Sequence, residues 1–450
     1  MIRSLFFSLL LITLSHSQLC LAQANTAIQM EASPFFRSFT VNRFVFQNGL
    51  RLLVMEDHSS PTFAYQTWFK VGSKNESPGK TGLAHLFEHM MFKETKNMKE
   101  GEFDKLLEGA GAEGENAFTS KDYTAYIQEL PRSSLELIIQ AESDRMVNLI
   151  ISESAFNTER EVVQNERRFR NENNPDGLME QELFQLAFTR HPYHWPIAGY
   201  QADLEKSSVQ TALNFYHTYY GPNHATIVAV GDVDSENVKS LVAKYYGSLP
   251  KHKENFKNLA SEPIQKTTRR KTLKLNIQVE KLLMGYHIPR YSNSDIPILN
   301  VLKTILNGGR SSRLNRALVE TGIATSVDTS DFEDHDPSLF ITEVNLQKNK
   351  HAGEAEKIIY QEYNRLMKQP ISNLELERAK NKLNFRFYNN LDSNFEKAYF
   401  LGLYESIGGH FKAGLEHNRK LQLVTAKDIQ KIAQKYLNPK NLTLIQGIPK

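Results

Sequence analysis

The chain has 450 residues, 54 Lys and Arg against 51 Asp and Glu, a formal charge of +3, 40% hydrophobic residues and one cysteine. This near-neutral balance argues against nucleic acid as the target, one cysteine excludes a disulfide framework, and the apolar content suffices for large cores. On a scale of about 150 residues per domain, a chain of this length holds two or three.

Met1-Ile2-Arg3 is a short positive segment, Leu5 to Leu14 is an apolar run too short to span a bilayer, and Ala22-Gln23-Ala24 is an AxA cleavage site. A secretory signal over residues 1–24 is therefore expected, with a periplasmic or secreted mature protein. Cys20 follows Leu19 rather than Gly or Ala, which disfavours a lipoprotein anchor. Cleavage after Ala24 removes the only cysteine and lowers the charge from +3 to +2, so the mature chain must be held together by its core. No later stretch reads as a transmembrane segment.

Arg43 to Met55 alternates apolar residues about an Asn48-Gly49 turn and reads as a hairpin, and Tyr65 to Val71 reads as the next strand. A Gly/Ser/Lys/Pro loop, Gly72 to Thr81, leads into Gly82-Leu83-Ala84-His85-Leu86-Phe87-Glu88-His89-Met90-Met91-Phe92. This segment has no β-branched residue and favours a helix. On a helix His85 and His89 stand at i and i+4 on one face, with Glu88 beside them. Two imidazoles so spaced can grip one zinc ion and leave the carboxylate free to work on water. The order HxxEH is the inverzincin signature.

A helix is also expected over Gly101 to Gly109. Glu113 to Tyr126 then returns to strand-like alternation, rich in Gly, Asn and small residues, and reads as an exposed edge or as an ordinary edge strand blunted by Lys121 and Asp122. A zinc site needs a third protein ligand, and the helical stretch Asn157 to Arg168 offers carboxylates. Glu159 and Glu166 are seven residues apart, two turns, and share a face that Glu161 does not.

These residues resemble the pitrilysin or insulinase-type zinc metallopeptidases, in which HxxEH is followed roughly 75 residues later by a liganding Glu with another Glu seven positions before it. Here Glu166 lies 77 residues after His89 (166 − 89). The resemblance implies His85, His89 and Glu166 as ligands of one zinc per chain, Glu88 as general base, and Glu159 as a carboxylate that orients the site. It further implies that Asn116 and Ala117 lie beside the scissile bond and bind substrate. It extends through His191-Pro192-Tyr193-His194-Trp195-Pro196 and Gly199. His191 and His194, in a Pro-flanked loop, read as hydrogen-bonding residues with no metal role.

Ala225 to Val230 reads as a strand, Gly231-Asp232 as a turn and Ser235 to Tyr246 as a helix; Lys251 to Lys271 has a linker's polar composition. Beyond it the pattern repeats. Leu437 to Ile445 echoes Tyr220 to Val228, and Asn373 to Arg378 echoes Ser154 to Arg160. Setting Glu377 on Glu159 puts Asn384 where Glu166 stands, so the second copy lacks both motif and ligand. The expected organisation is a zinc domain at 38–250, a linker at 251–270 and an inactive homologous domain at 271–450. Without a regular βαβ period or a glycine fingerprint, the class is α+β. Asn307 to Leu314 lacks the GK[ST] ending and a preceding strand, so it is not a phosphate loop. By resemblance each domain is an α/β roll, and the pair forms one half of a clamshell.

The chemistry so implied is endopeptidase cleavage of peptides or unfolded segments. The rival reading is a non-catalytic assembly or binding subunit of a clamshell complex, against which the intact motif and Glu166 weigh. A metal buffer is disfavoured by the lack of a His/Cys-rich tract. Relatives that work alone carry an Arg and a Tyr in the second domain, in a segment resembling LREKxGLAY. Here Val319 stands for the Arg and Thr325 for the Tyr, and Arg316, two or three positions away on a helix, points elsewhere. The resemblance therefore implies a heterodimer with a homologous subunit carrying that pair, a homodimer being the second choice.

Overall fold

The computed structural model describes residues 27–253, 259–331 and 334–450. The expected signal segment with Cys20, and part of the expected linker, lie outside the described residues. Seven strands form the first sheet: β1 Ala27–Pro34, β2 Thr40–Phe46, β3 Arg51–Glu56, β4 Thr62–Phe69, β5 Glu113–Thr119, β6 Thr124–Pro131 and β7 Ala225–Gly231, in the order β1-β2-β3-β7-β4-β6-β5. Five form the second: β8 Arg269–Leu275, β9 Lys281–Ile288, β10 Ala324–Asp331, β11 Ser338–Leu346 and β12 Leu442–Pro449, in the order β10-β11-β9-β12-β8.

The repeat seen in the sequence is a repeat of topology. In the first sheet β7 lies between β3, to which it is parallel, and β4, to which it is antiparallel. In the second, β12 stands in the same way between β8 and β9. Each of these central strands follows a one-turn helix begun by a proline, Pro222–His224 or Pro439–Asn441. The mixture of parallel and antiparallel pairs with helices outside gives the α+β class. The first sheet carries β1 and β2 as additions; β1 has no counterpart in the sequence reading. The Glu113 to Tyr126 stretch is not one strand but two, because Ser120 to Tyr123 turns the chain back on itself. Among the described residues no helix is long and apolar enough to cross a membrane.

Both faces of the first sheet are buried, which is why β3 reads as a continuous apolar run rather than a strict alternation. Leu52 and Val54 face one core and Leu53 and Met55 another. The second face is covered by a helix from the far half of the chain, Asn394–Ile407, which packs on β4 and β7. Gly402 permits this, since a Cβ there would come within 2.1 Å of the Trp68 indole nitrogen. The exchange is reciprocal. Helix Pro175–Ala187, from the near half, lays Met179, Leu183 and Phe184 on the second sheet, and its last carbonyls, Leu186 and Ala187, accept from Arg269 Nη1 at 2.8 and 2.7 Å.

Charged groups lock the exchanged helix in place. Lys397 Nζ meets Asp57 Oδ2 at 2.5 Å, both side chains almost wholly buried, and Glu405, with no exposed side-chain surface, takes Arg43 Nη2 at 2.9 Å. Lys397→Met should therefore destabilise the fold by roughly 3 to 5 kcal/mol in denaturant unfolding, because it strands the Asp57 carboxylate, while Asp57→Asn with Lys397→Met should recover most of that loss. Burial raises the Asp57 carboxyl, but Lys397 and Ser59 outweigh it and hold it below its usual value. The stabilisation is thus present above about pH 4 and should fade as pH falls through the lowered value.

Candidate metal centre

The HxxEH segment folds as the two-turn helix Leu83–Met90. Leu83, Ala84, Leu86, Phe87 and Met90 face the core, where Phe87 meets the rings of Phe215, Tyr216 and Tyr220 at 5.6, 5.9 and 5.2 Å. Glu88 and His89 stay half-buried and His85 is buried. The carboxylates come from the helix Glu153–Arg167, begun by Ser152, whose hydroxyl accepts from Ala155 N.

Backbone contact sets the spacing of the two helices. Gly82 (φ +89°) and Gly199 (φ +70°) touch so closely that a Cβ on Gly199 would come within 2.3 Å of Gly82 N. Buried Arg167, next to Glu166, donates from Nε to the Gly199 carbonyl at 2.8 Å. Glu166 Oε2 consequently lies 3.7 Å from His85 Nε2 and 3.3 Å from His89 Nε2. A tetrahedral ion with bonds of about 2.05 Å spaces its donor atoms about 3.3 Å apart, so this trio fits zinc. His85, Glu88 and His89 have donor atoms within 4.8 Å of one another.

Neighbours orient His89 and Glu166, whereas His85 Nδ1 is buried with no hydrogen-bond partner among the described residues. Glu159 Oε2 stands 3.4 Å from His89 Nδ1, which makes that nitrogen the protonated one and turns the Nε2 lone pair toward Glu166 and His85. Lys93 Nζ holds the other Glu159 oxygen at 2.6 Å, and Arg170 Nη2 holds Glu166 Oε1 at 2.6 Å. Burial, then the neighbouring His89, pushes the His85 imidazole down to about 4, so it is a neutral donor at pH 7. For His89, the downward pull of burial is outweighed by the Glu159 hydrogen bond and the charges of Glu88 and Glu166. Burial raises Glu88, against a hydrogen bond from Thr119.

The helix start rests on a residue the sequence reading passed over. Glu76, 6% exposed, accepts from Gly82 N and Ala84 N at 2.8 Å each. As the only acid in the Gly72 to Thr81 loop, just before a helix, it carried a readable signal. Lys93 and Arg170, each four residues beyond a site residue, were readable as i,i+4 partners.

Asn116 and Ala117 lie on β5, the outer strand of the sheet, against which the HxxEH helix packs. Asn116 is exposed and its Oδ1 accepts the Ala117 N–H at 2.9 Å. Lys121 and Asp122 do not blunt that edge: they sit in the turn after it and are buried, 7% and 8% exposed, among groups of opposite charge. His191 Nδ1 accepts from Tyr193 N and His194 Nδ1 meets the Phe188 carbonyl, both as loop hydrogen bonds. Val319 is half-buried against the second core, Thr325 is exposed on β10 with its hydroxyl on the Asn345 carbonyl, and Arg316 is exposed. The Asn307 to Leu314 segment follows the helix Ile296–Asn307 rather than a strand.

Residues 51–201 match the family model "Insulinase (Peptidase family M16)" and residues 207–383 match "Peptidase M16 inactive domain". The zinc protease PqqE of Helicobacter pylori is 30% identical over 404 residues, 89% of this chain and 90% of that protein. The chain belongs to the M16 peptidase family. A crystal structure of a protease from Helicobacter pylori superposes with a TM-score of 0.87 at 28% identity, covering 94% of this chain and all of that one. The periplasmic protease PqqL of Escherichia coli superposes at a TM-score of 0.75 and 18% identity, covering 94% of this chain but 48% of that one, so this M16 chain has the extent of half of it.

Removing the Glu76 cap should loosen the helix that presents both imidazoles. Glu76→Gln, with one acceptor oxygen in place of two, should weaken zinc retention by roughly 10- to 100-fold in chelator competition while circular dichroism stays native; unchanged zinc affinity would confine Glu76 to a structural role.

Proposed function

We propose that this chain is a zinc endopeptidase that cuts peptides or unfolded segments outside the cytoplasm, as its expected signal segment suggests. The observation that carries this reading is the convergence of His85 Nε2, His89 Nε2 and Glu166 Oε2 beside Glu88 and under a free sheet edge. His85, His89 and Glu166 would hold the ion, and Glu159 and Lys93 keep His89 in the right tautomer. Zinc, when bound, supplies Lewis acidity, drawing the pKa of water toward about 7 and polarising the scissile carbonyl. Glu88, raised by burial, accepts the proton of the attacking water and hands it to the leaving amine. Substrate adds to β5 as a further strand, its carbonyl competing with Asn116 Oδ1 for the Ala117 N–H. The zinc domain at 38–250, the linker at 251–270 and the inactive domain at 271–450 follow the same reading.

Glu88→Gln should abolish cleavage of a peptide library and keep zinc at wild-type stoichiometry, whereas Glu166→Gln should lose both. Cleavage by purified Glu88→Gln at near wild-type rate would refute the assigned base, and full zinc in Glu166→Gln would move the third ligand.

The missing Arg and Tyr favour a partner. Val319 and Thr325 cannot donate to a developing oxyanion as guanidinium and phenol do, a deficit of about 3 to 4 kcal/mol per lost donor. Beside the site, Phe169 is 76% exposed, and Glu88, His89 and Glu166 are only half-buried. A homologous subunit with the Arg/Tyr pair would supply both donors and cover, taking the place of the remainder of a full-length clamshell. The zinc-loaded chain alone should then be at least about a hundredfold slower than when mixed with that subunit; full activity alone would favour a homodimer.

A further inference from the structure

A second polar cluster lies at the junction of the two halves. Lys74, in the turn Ser73–Asn75 before the HxxEH helix, is 9% exposed. Its Nζ stands 2.7 Å from Asp122 Oδ1 and 2.9 Å from Asp336 Oδ2. Asp122 belongs to the turn between β5 and β6; Asp336 belongs to the connection between β10 and β11, in the far half. Asp122 also accepts the Tyr193 hydroxyl at 2.8 Å and the His335 backbone N–H at 2.8 Å. Lys121 Nζ lies 3.7 Å from Asp334 Oδ2 and 3.7 Å above the Phe184 ring. His191 and His335 approach Asp336 at 3.6 and 3.3 Å. Asp122, His335 and Asp336 could in principle ligate a cation, but the Lys74 ammonium bridges the two carboxylates and is the cation of this cluster.

We propose that this ionic joint is a positioning device: through Asp336 and Lys74 the far half, which has no metal motif of its own, sets β5 against the HxxEH helix. This rests on the reading of β5 as the strand that substrate joins. Among the described residues strand β5 is paired on one side alone, and its first end is irregular, with a register shift between Glu113 and Asn116 and Gly114 in the left-handed region. Its position is therefore fixed from its second end. There Ser73 N and Lys74 N donate to the Ser120 and Lys121 carbonyls, tying the turn to the loop that feeds the helix, and Thr119 reaches Glu88. Asp336 and Asp334 clamp that turn from the far side. Replacing Asp336 leaves the Lys74–Asp122 pair intact, so it weakens the far half's hold, of which the His335 N–H to Asp122 and the Lys121–Asp334 contact remain, without stranding a charge in the near half.

The test compares wild type, Asp336→Asn and Asp336→Glu, all zinc-loaded and with the partner subunit if cleavage requires it. Zinc content, amide exchange over 113–119 and the kinetics of fluorescein-labelled casein cleavage are measured. Asp336→Asn should keep zinc at wild-type level, speed exchange in β5 by about fivefold or more, and raise KM by about fivefold with kcat within about twofold. Asp336→Glu should restore most of both. Should Asp336→Asn not fold, Ser338→Ala, which removes the 2.6 Å hydrogen bond to Asp334 and no charge, should move exchange and KM in the same direction by less. Wild-type exchange and KM in the folded variants, with only a lower Tm, would overturn the joint. Zinc-loaded wild type that cuts nothing, with or without partner, would refute the peptidase reading instead.

Discussion

The governing constraint is the distance that His85, His89 and Glu166 must keep if they are to share one ion. Bonds of about 2 Å leave little tolerance, and the donors come from two helices separated by more than sixty residues of chain. The structure meets this with backbone contact rather than side-chain packing: Gly82 against Gly199, Gly199 to Arg167, and Arg167 one residue from Glu166. Backbone has no rotamers, so a spacing set this way does not drift as side chains hop. Around that frame two of the three donors have a second partner that aims them, Glu159 and Lys93 for His89 and Arg170 for Glu166, while His85 is held by its burial alone, its Nδ1 having no hydrogen-bond partner among the described residues.

The legibility of the site follows the range of the forces that build it. His85, Glu88 and His89 are on one helical turn, so their convergence could be read from spacing alone. Glu159 and Glu166 were marked by their seven-residue interval, but only the likeness to a family related them to a helix far upstream. The Glu76 cap, Lys93 and Arg170 were equally local, and reading charges at i+4 and before the helix start would have found them. Lys121 and Asp122 misled because two charges after an alternating strand look like solvated edge residues. Their burial depends on Asp334 and Asp336, more than two hundred residues away, and nothing local announces that.

The exchange of helices was invisible for a related reason. Pro175–Ala187 and Asn394–Ile407 present apolar stripes that would cover either sheet. What decides between the sheets is long-range: Asp57 and Arg43 for one helix, Arg269 and the smooth patch at Gly285 and Gly447 for the other. The internal repeat was legible because it copies sequence; the exchange leaves no mark in either copy.

This exchange bears on why a half without the HxxEH motif persists beside one that carries it. The helix Ile296–Asn307 follows β9 as the HxxEH helix follows β4, yet it contains no His or Glu, and Asn384 stands where Glu166 would. The second copy thus lacks both the motif and the carboxylate. Physically the first sheet is incomplete without it, because Leu53, Met55, Trp68, Val228 and Val230 are covered by Ala398, Leu401 and Phe411 from the far half. Each of these large side chains gains roughly 1.5 to 3 kcal/mol from burial, so the uncovered face would be a serious loss for a domain of marginal stability. The far half can therefore lack every ligand and still be required, and its Asp336 reaches through Lys74 the turn that follows β5. A substitution on the interface of either half then acts on a single packed unit.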